Sequence, residues 1–326
     1  MSDVNLVQAV NLALRRAMAE DSRVLVLGED VGVDGGVFRA TEGLLDLHGD
    51  SRVLDTPLAE AGIAGVSIGL AAQGFRPVAE IQFTGFAYAC IDQLLNHASR
   101  LRARTRGRLT CPLVLRSPAG GGIHAPEHHS ESPEAMFAHI PGLKVVIPSS
   151  PARAYGLLLS AIRDPDPVVF LEPTRLYRAV REEVTDDGAG MPLETCFVAR
   201  GGRDVTLVSW GAMLHETLAA AARLADDGIE AEVVDVATLK PLDSATILNS
   251  VARTGRLVIV HEAPLTGGFG AEVAARVAGA GLMHLLAPIE RVAGFDTVMP
   301  YPRTEAWYMP SVDRVIAAAG RAMAYQ

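Results

Sequence analysis

The chain has 326 residues, enough for two domains of ordinary size, and is 49% hydrophobic and 21% charged, which excludes a disordered or fibrous protein. Its formal charge of −9 gives no electrostatic footing for nucleic acid, so the basic run at residues 100–108 reads as a solvated helix end ahead of a subunit contact or an anion site. Cys90, Cys111 and Cys196 form neither a zinc pattern nor a disulfide framework, no apolar run reaches a membrane span and no secretory signal opens the chain, so a cytoplasmic protein is expected.

Helical spacing of Leu6, Val10, Leu14 and Ala17 predicts a helix over residues 4–19, capped by Ser2 or Asp3. A strand at 24–27 leads into the turn-rich GEDVGVDGGVF. Glu29, Asp30 and Asp34 in that run lack the spacing of a calcium loop, so it reads as a plain glycine loop at a strand end.

The chain is organised around the stretch 55–92, DTPLAEAGIAGVSIGLAAQGFRPVAEIQFTGFAYACID. It holds an extended Thr56-Pro57 step, a helix over 60–73, a turn at Gly74 and a strand over 78–83. Gly62, Gly65 and Gly69 share one helix face, and a helical glycine costs about 1 kcal/mol, so close backbone packing is expected there. Glu60, at the helix start among Leu58, Ala59 and Ala61, has two readings. It offsets the helix dipole, or it is a partly desolvated carboxyl with a raised pKa, fit for proton exchange.

A long helix over 85–104 and a strand over 112–116 precede SPAGGGIHAPEHHSESPEAMFAH, residues 117–139. Its glycines make a mobile loop, with His124, His128 and His129 on the far side. A metal site, surface histidines without a role, and a catalytic loop carrying a proton donor all fit this pattern. A strand at 144–147, a helix at 151–163 and a strand at 168–171 complete an alternating βα pattern of near-continuous apolar strands. That pattern means a largely parallel sheet covered on both faces.

Residues 181–203 are polar and glycine-rich and read as a linker with one short strand. A second αβ domain, 204–326, then follows the first, 1–180. Its strands fall at 205–209, 231–236 and 257–261, and its helices at 214–225, 244–252, 269–278 and 312–323. Gly267 and Gly268 do not make a dinucleotide fingerprint, because the glycine order is wrong and the later acidic residue is missing.

VLGEDVG at 26–32, the 55–92 stretch, HSESPEAMFAHIPGLKVVIP at 129–148, DPVVFLEP at 166–173, LKPLD at 239–243 and GFDTVMPYP at 294–302 together resemble the β subunit of thiamine-diphosphate-dependent 2-oxo acid dehydrogenases. The likeness spans essentially the whole chain. It implies two open αβα domains, a pyrimidine-binding transketolase-like domain and a transketolase-type C-terminal domain. Within the family, HSxSPEA followed by FLEPxRLYR is more similar to the branched-chain 2-oxo acid enzymes, with pyruvate and acetoin dehydrogenases as the alternatives. A transketolase-like synthase and a non-catalytic scaffold subunit are more distant ones.

The resemblance implies that Glu60 contacts the aminopyrimidine N1′ of thiamine diphosphate and promotes the imino tautomer. It implies that Phe86 packs on the pyrimidine, where a tyrosine is common, and that Gln82 lines the site or makes a strand-end hydrogen bond. It makes His129 the loop histidine that handles protons during acyl transfer, with His128 less securely placed and His139 a core or subunit-contact residue. Glu131 stands where glutamine is usual. A potassium ion on backbone carbonyls would match Cys111, Leu113, Val114, Ala161, Asp164 and Asp166. No GDG motif for the diphosphate and its magnesium occurs, so these are expected on an α subunit in an α2β2 assembly. Other implied partners are a small 2-oxo acid and a lipoyl acyltransferase core. No membrane is expected among them.

Overall fold

The computed structural model of the chain describes residues 2–325. It divides into two compact units, one built from residues up to 119 with 136–193, the other from 120–135 with the chain from 194 onward.

In chain order the first unit contains β1 (Ser2–Asn5), α1 (Leu6–Glu20), β2 (Val24–Gly28), α2 (Leu44–His48), β3 (Val53–Asp55), α3 (Glu60–Ala72), β4 (Arg76–Glu80), α4 (Ile91–Asn96), α5 (Leu101–Arg104) and β5 (Val114–Ala119). After α6 (Glu134–His139) come β6 (Lys144–Val146), α7 (Pro151–Arg163), β7 (Val168–Pro173) and β8 (Arg181–Val184). The strands lie in the order β6-β7-β5-β4-β2-β3, every neighbouring pair parallel. Helices α1 and α7 pack on this sheet with buried Leu6, Val10, Leu14, Leu157 and Leu158.

The chain runs from β2 outward to β3, then returns past β2 to β4. Such a reversal opens a crevice at the carboxyl ends of the strands, which is where ligands of open αβ sheets bind. Here Glu29 follows β2, Glu60 follows β3 and Gln82 follows β4. Below them Arg116, fully buried, is clamped between Glu80 and Glu172, its Nε 2.7 Å from Glu172 Oε1, with the Tyr177 hydroxyl on the same carboxylate. Removing one partner of such a buried array costs about 3–5 kcal/mol.

Several sequence expectations change. The first helix is capped by Asn5, whose side chain exchanges hydrogen bonds with Gln8, because residues 2–5 pair instead as a strand with 181–184. That pairing also takes the start of the linker segment into the first unit. The expected strand over 78–83 ends at Glu80, one residue short of the last bond to β5, in which Ile81 donates to Arg116 C=O at 3.0 Å. The expected helix over 85–104 is broken into a 3-10 turn at Phe86–Cys90, α4, a 3-10 turn at Ala98–Arg100 and α5. Side chains compete for its carbonyls: Ser99 Oγ takes Leu95 C=O at 2.9 Å and the Arg104 guanidinium takes Asn96 C=O. His139 is exposed, which removes the core reading for it.

The second unit contains β9 (Phe197–Arg200), β10 (Val205–Ser209), α8 (Met213–Asp226), β11 (Ala231–Asp235), β12 (Thr238–Lys240), α9 (Ser244–Thr254), β13 (Leu257–Pro264), α10 (Gly270–Gly281), β14 (Glu290–Gly294), α11 (Pro302–Tyr308) and α12 (Val312–Ala324). Its sheet runs β14-β13-β10-β11-β9, parallel except for β9. The reversal here falls at β10 and β13; Trp210 follows β10 directly and His261 lies within β13. Their rings stack with centroids 5.2 Å apart. Burial, and then the charge of Arg291, push the His261 imidazole down to about 4. Among the described residues no helix is long and apolar enough to cross a membrane.

Candidate functional site

Glu60 is the first residue of α3 and is half-buried, preceded by Ala59 with no side-chain cap. The Cys90 thiol donates to Glu60 C=O at 3.2 Å and fixes that first turn. Burial, followed by the charges of Glu60 and Glu29, pushes the Cys90 thiol up to about 12, so it stays protonated and acts only as a donor. Thr56 donates to Gly28 C=O at 2.9 Å, which brings the loops after β2 and β3 side by side. The Asp55 carboxylate accepts the N–H groups of Gly32 and Val33 at 2.6 and 3.1 Å. A Cβ at Gly32 would lie 2.8 Å from that carboxylate, so the loop needs glycine there.

This arrangement delivers a residue that the sequence left as part of a plain glycine loop. Glu29 is 7% exposed, and its Oε1 has no hydrogen-bond partner among the described residues. Burial first, then the charges of Glu60 and Asp30, raise its pKa. Two carboxyls that feel each other, one with an unsatisfied buried oxygen, make a place for a hydrogen-bond donor. No spacing rule could have found Glu29, because the closeness is made by strand order.

Gln82 and Phe86 complete this side of the crevice. Gln82 Nε2 donates to Asp30 Oδ2 at 2.9 Å, and Asp30 holds a left-handed backbone, φ 57°. The strand-end hydrogen bond read from the sequence for Gln82 is thus present. Phe86 is half-buried and meets Phe83 edge-on with centroids 6.0 Å apart; Phe38 meets Phe83 at 5.4 Å and Tyr177 at 5.1 Å. Glu29, Glu60, Gln82 and Phe86 therefore gather at one switch point of the first unit.

The potassium positions also share a corner of that unit. Cys111 donates to Pro165 C=O at 3.1 Å and Val168 to Leu113 C=O at 2.9 Å, so residues 111–114 lie beside 164–168. Val114 opens β5 and Ala161 lies in α7. The Ala161 carbonyl accepts from Asp164 at 3.3 Å, and Arg76 reaches the Asp164 carbonyl at 3.4 Å. Lys144 stands on the Asp164 carboxylate and Arg102 on that of Asp166 at 2.7 Å. The two acidic side chains are thus each paired with a cationic side chain. Among the described residues no group of three or more His, Cys, Asp or Glu side chains could hold a metal ion.

His128 and His129 lie in the second unit, in a 3-10 turn over Glu127–His129. His129 is half-buried and donates its N–H to Pro126 C=O at 2.9 Å, whereas His128 is exposed. Glu131 is half-buried and lines an open cavity of ≈ 500 Å³ with Ser132, Thr266, Asp296, Met299 and Tyr308. At the loop's end the Trp210 indole N–H donates to Glu134 at 3.2 Å.

Residues 2–180 match the model for the transketolase pyrimidine-binding domain, and residues 195–315 match that for the transketolase C-terminal domain. A pyruvate dehydrogenase E1 component subunit beta of Bacillus subtilis is 49% identical over 325 residues, covering 100% of both chains. A protein of the same description from Staphylococcus epidermidis is 48% identical over 319 residues, 98% of each chain. Among solved structures, a split-gene transketolase described as an inactive β4 tetramer superposes with a TM-score of 0.82 at 24% identity, over 99% of each chain, which shows the shared fold. The two open parallel αβ units are those of the transketolase fold. The chain belongs to the β subunits of thiamine-diphosphate-dependent 2-oxo acid dehydrogenases. Within that family the sequence motifs put the branched-chain enzymes first; these relatives favour the second reading, pyruvate dehydrogenase.

Proposed function

We propose that the chain is the β subunit of a pyruvate dehydrogenase. With an α subunit, as an α2β2 assembly, it decarboxylates pyruvate and passes the acetyl group to a lipoyl group of an acyltransferase core. The observation that carries the substrate choice is end-to-end identity of 49% with a protein described as a pyruvate dehydrogenase β subunit.

The switch-point crevice fits the pyrimidine half of thiamine diphosphate. Glu60 would hold a proton against the ring nitrogen, Phe86 would supply a flat apolar face, and the unsatisfied oxygen of Glu29 would accept from a ring substituent. Gln82, fixed by Asp30, would line the same ring. When bound, the cofactor supplies the electron sink for decarboxylation. Beside Glu60 stands Glu29, whose own carboxyl is raised by burial first and then by the charges of Glu60 and Asp30. The diphosphate and its magnesium are assigned to the α subunit, and a potassium ion to the carbonyls at 111–114 and 161–166. His129 handles protons during acyl transfer.

The test is turnover of the chain reconstituted with its α partner on pyruvate, 3-methyl-2-oxobutanoate and acetoin. The expected result is kcat/KM on pyruvate at least about tenfold above the others, the step that one or two methylenes in an apolar pocket provide. A preference for the branched substrate would return the assignment to the branched-chain enzymes.

A further inference from the structure

The histidine loop enters and leaves on carboxylates of the second unit. Glu305, in the first turn of α11, is 2% exposed, yet its carboxylate is well supplied with donors. Oε1 accepts the N–H of Gly122 at 2.7 Å, and Oε2 accepts the N–H of His124 at 3.2 Å and meets His124 Nδ1 at 2.7 Å. These contacts hold His124 in a left-handed conformation, φ 58°, that a residue with a side chain rarely adopts.

Glu262, on β13, takes both ends of the loop at once: its Oε1 accepts the N–H of Gly121 at 3.1 Å and the hydroxyl of Ser132 at 2.7 Å. Gly120, with φ 87°, donates to Glu131 C=O at 2.8 Å and so closes the base, and a Cβ there would run into Glu262. Glu134, the last of the segment, is pinned by Trp210. Residues 120–124 and 131–134 are therefore fixed, and between them stands the turn that carries His128 and His129. A buried carboxylate is costly unless its oxygens are matched by donors, and for Glu305 those donors come from the loop.

We propose that Glu305 and Glu262 are positioning residues: through the loop backbone they set where His129 stands during acyl transfer. The inference rests on the function proposed for His129. Neither carboxylate is placed on substrate or cofactor, so the effect is carried by geometry alone. A displacement of about 1 Å at a reacting group can cost 10²-fold in rate.

The test uses the complex with the α subunit and the variants Glu305→Gln, Glu262→Gln, His129→Ala and the Glu305→Gln/His129→Ala double. Glutamine keeps the shape of either carboxylate but turns an amide N–H toward a donor. Amide hydrogen exchange should rise across residues 121–132 in both glutamine variants and stay unchanged in β13. The kcat for acetylation of a free lipoyl domain should fall about 10- to 100-fold, with KM for that domain unchanged. The double variant should be no slower than His129→Ala, because two residues that act through one group are not additive. Unchanged exchange in the loop would overturn the clamp, and losses that multiply in the double variant would overturn positioning. If wild-type complex turned over no 2-oxo acid, the proposed function would fall, while the exchange experiment would still decide whether the clamp holds the loop.

Discussion

Burial, followed by the like charge of Glu262, pushes the Glu134 carboxyl up to about 8, against the lowering effects of its own backbone N–H and of Trp210. Folded, this group keeps a proton that an unfolded chain releases near the ordinary carboxyl value. Between those two values the native state binds more protons, so stability is full below the ordinary value and falls as pH rises through about 8. His261, stacked beneath Trp210, acts on the other side: its folded value of about 4 lies below the ordinary imidazole value, so stability falls as pH drops between them. Each unit of such a shift is worth about 1.4 kcal/mol. The variant Glu134→Gln keeps an oxygen for the Trp210 indole and has no proton to lose. Its thermal midpoint should therefore decline less than wild type between pH 6 and about pH 9, as followed by circular dichroism. Parallel curves for the two proteins would show that Glu134 is not the group responsible.

The helix α3 is apolar around its whole circumference, a pattern that belongs to a helix covered on all sides. Among the described residues it is fully covered on one side, at Ile63, Ala64, Ser67 and Ala71. Leu58 before it is 80% exposed and Val66 within it 58%. Of the glycines expected to admit a close neighbour, Gly65 meets Gln93 at 3.4 Å for a built Cβ, while Gly69 has nothing within 4 Å. That exposed apolar face beside Glu60 fits a second chain, and in the proposed assembly the α subunit is the chain that would cover it. Val66→Asp should leave the isolated chain's stability within about 0.5 kcal/mol, as at most exposed sites. In size-exclusion chromatography it should stop co-elution with the α subunit, because burying an unpaired charge is costly. Co-elution at wild-type affinity would place the interface elsewhere. The elements that sequence reads well are those whose signal is local: the strands read at 24–27 and 168–171, the helix at 151–163, and the glutamate at the start of α3. What it missed is made by tertiary structure. Glu29 becomes a site residue only when β2 and β3 lie side by side, Glu262 and Glu305 only when the chain returns to the loop, and the 85–104 helix breaks where side chains take its carbonyls.

Both units are complete transketolase-type sheets, and the likeness to the β-subunit relatives runs from one end of the chain to the other. Nonetheless the crevice of the first unit offers groups for a pyrimidine and none of the GDG sequence that would hold a diphosphate. Binding energy for a cofactor of this kind comes chiefly from its charged end, where magnesium and hydrogen-bond donors meet the phosphates. A chain that supplies only the ring end should bind it weakly. Calorimetry with thiamine diphosphate and magnesium should thus show no saturable heat for this chain alone at micromolar concentration, and saturable binding once the α subunit is added. In the same complex, Glu60→Gln should still bind the cofactor, since the diphosphate contacts are untouched, while turnover falls at least about 10²-fold, the usual contribution of a placed proton-transfer group. Loss of binding in that variant would make Glu60 an affinity residue and not the proton-transfer group. Tight binding by this chain alone would put the diphosphate site here, and the transketolase-like synthase would then describe the protein better than a dehydrogenase subunit.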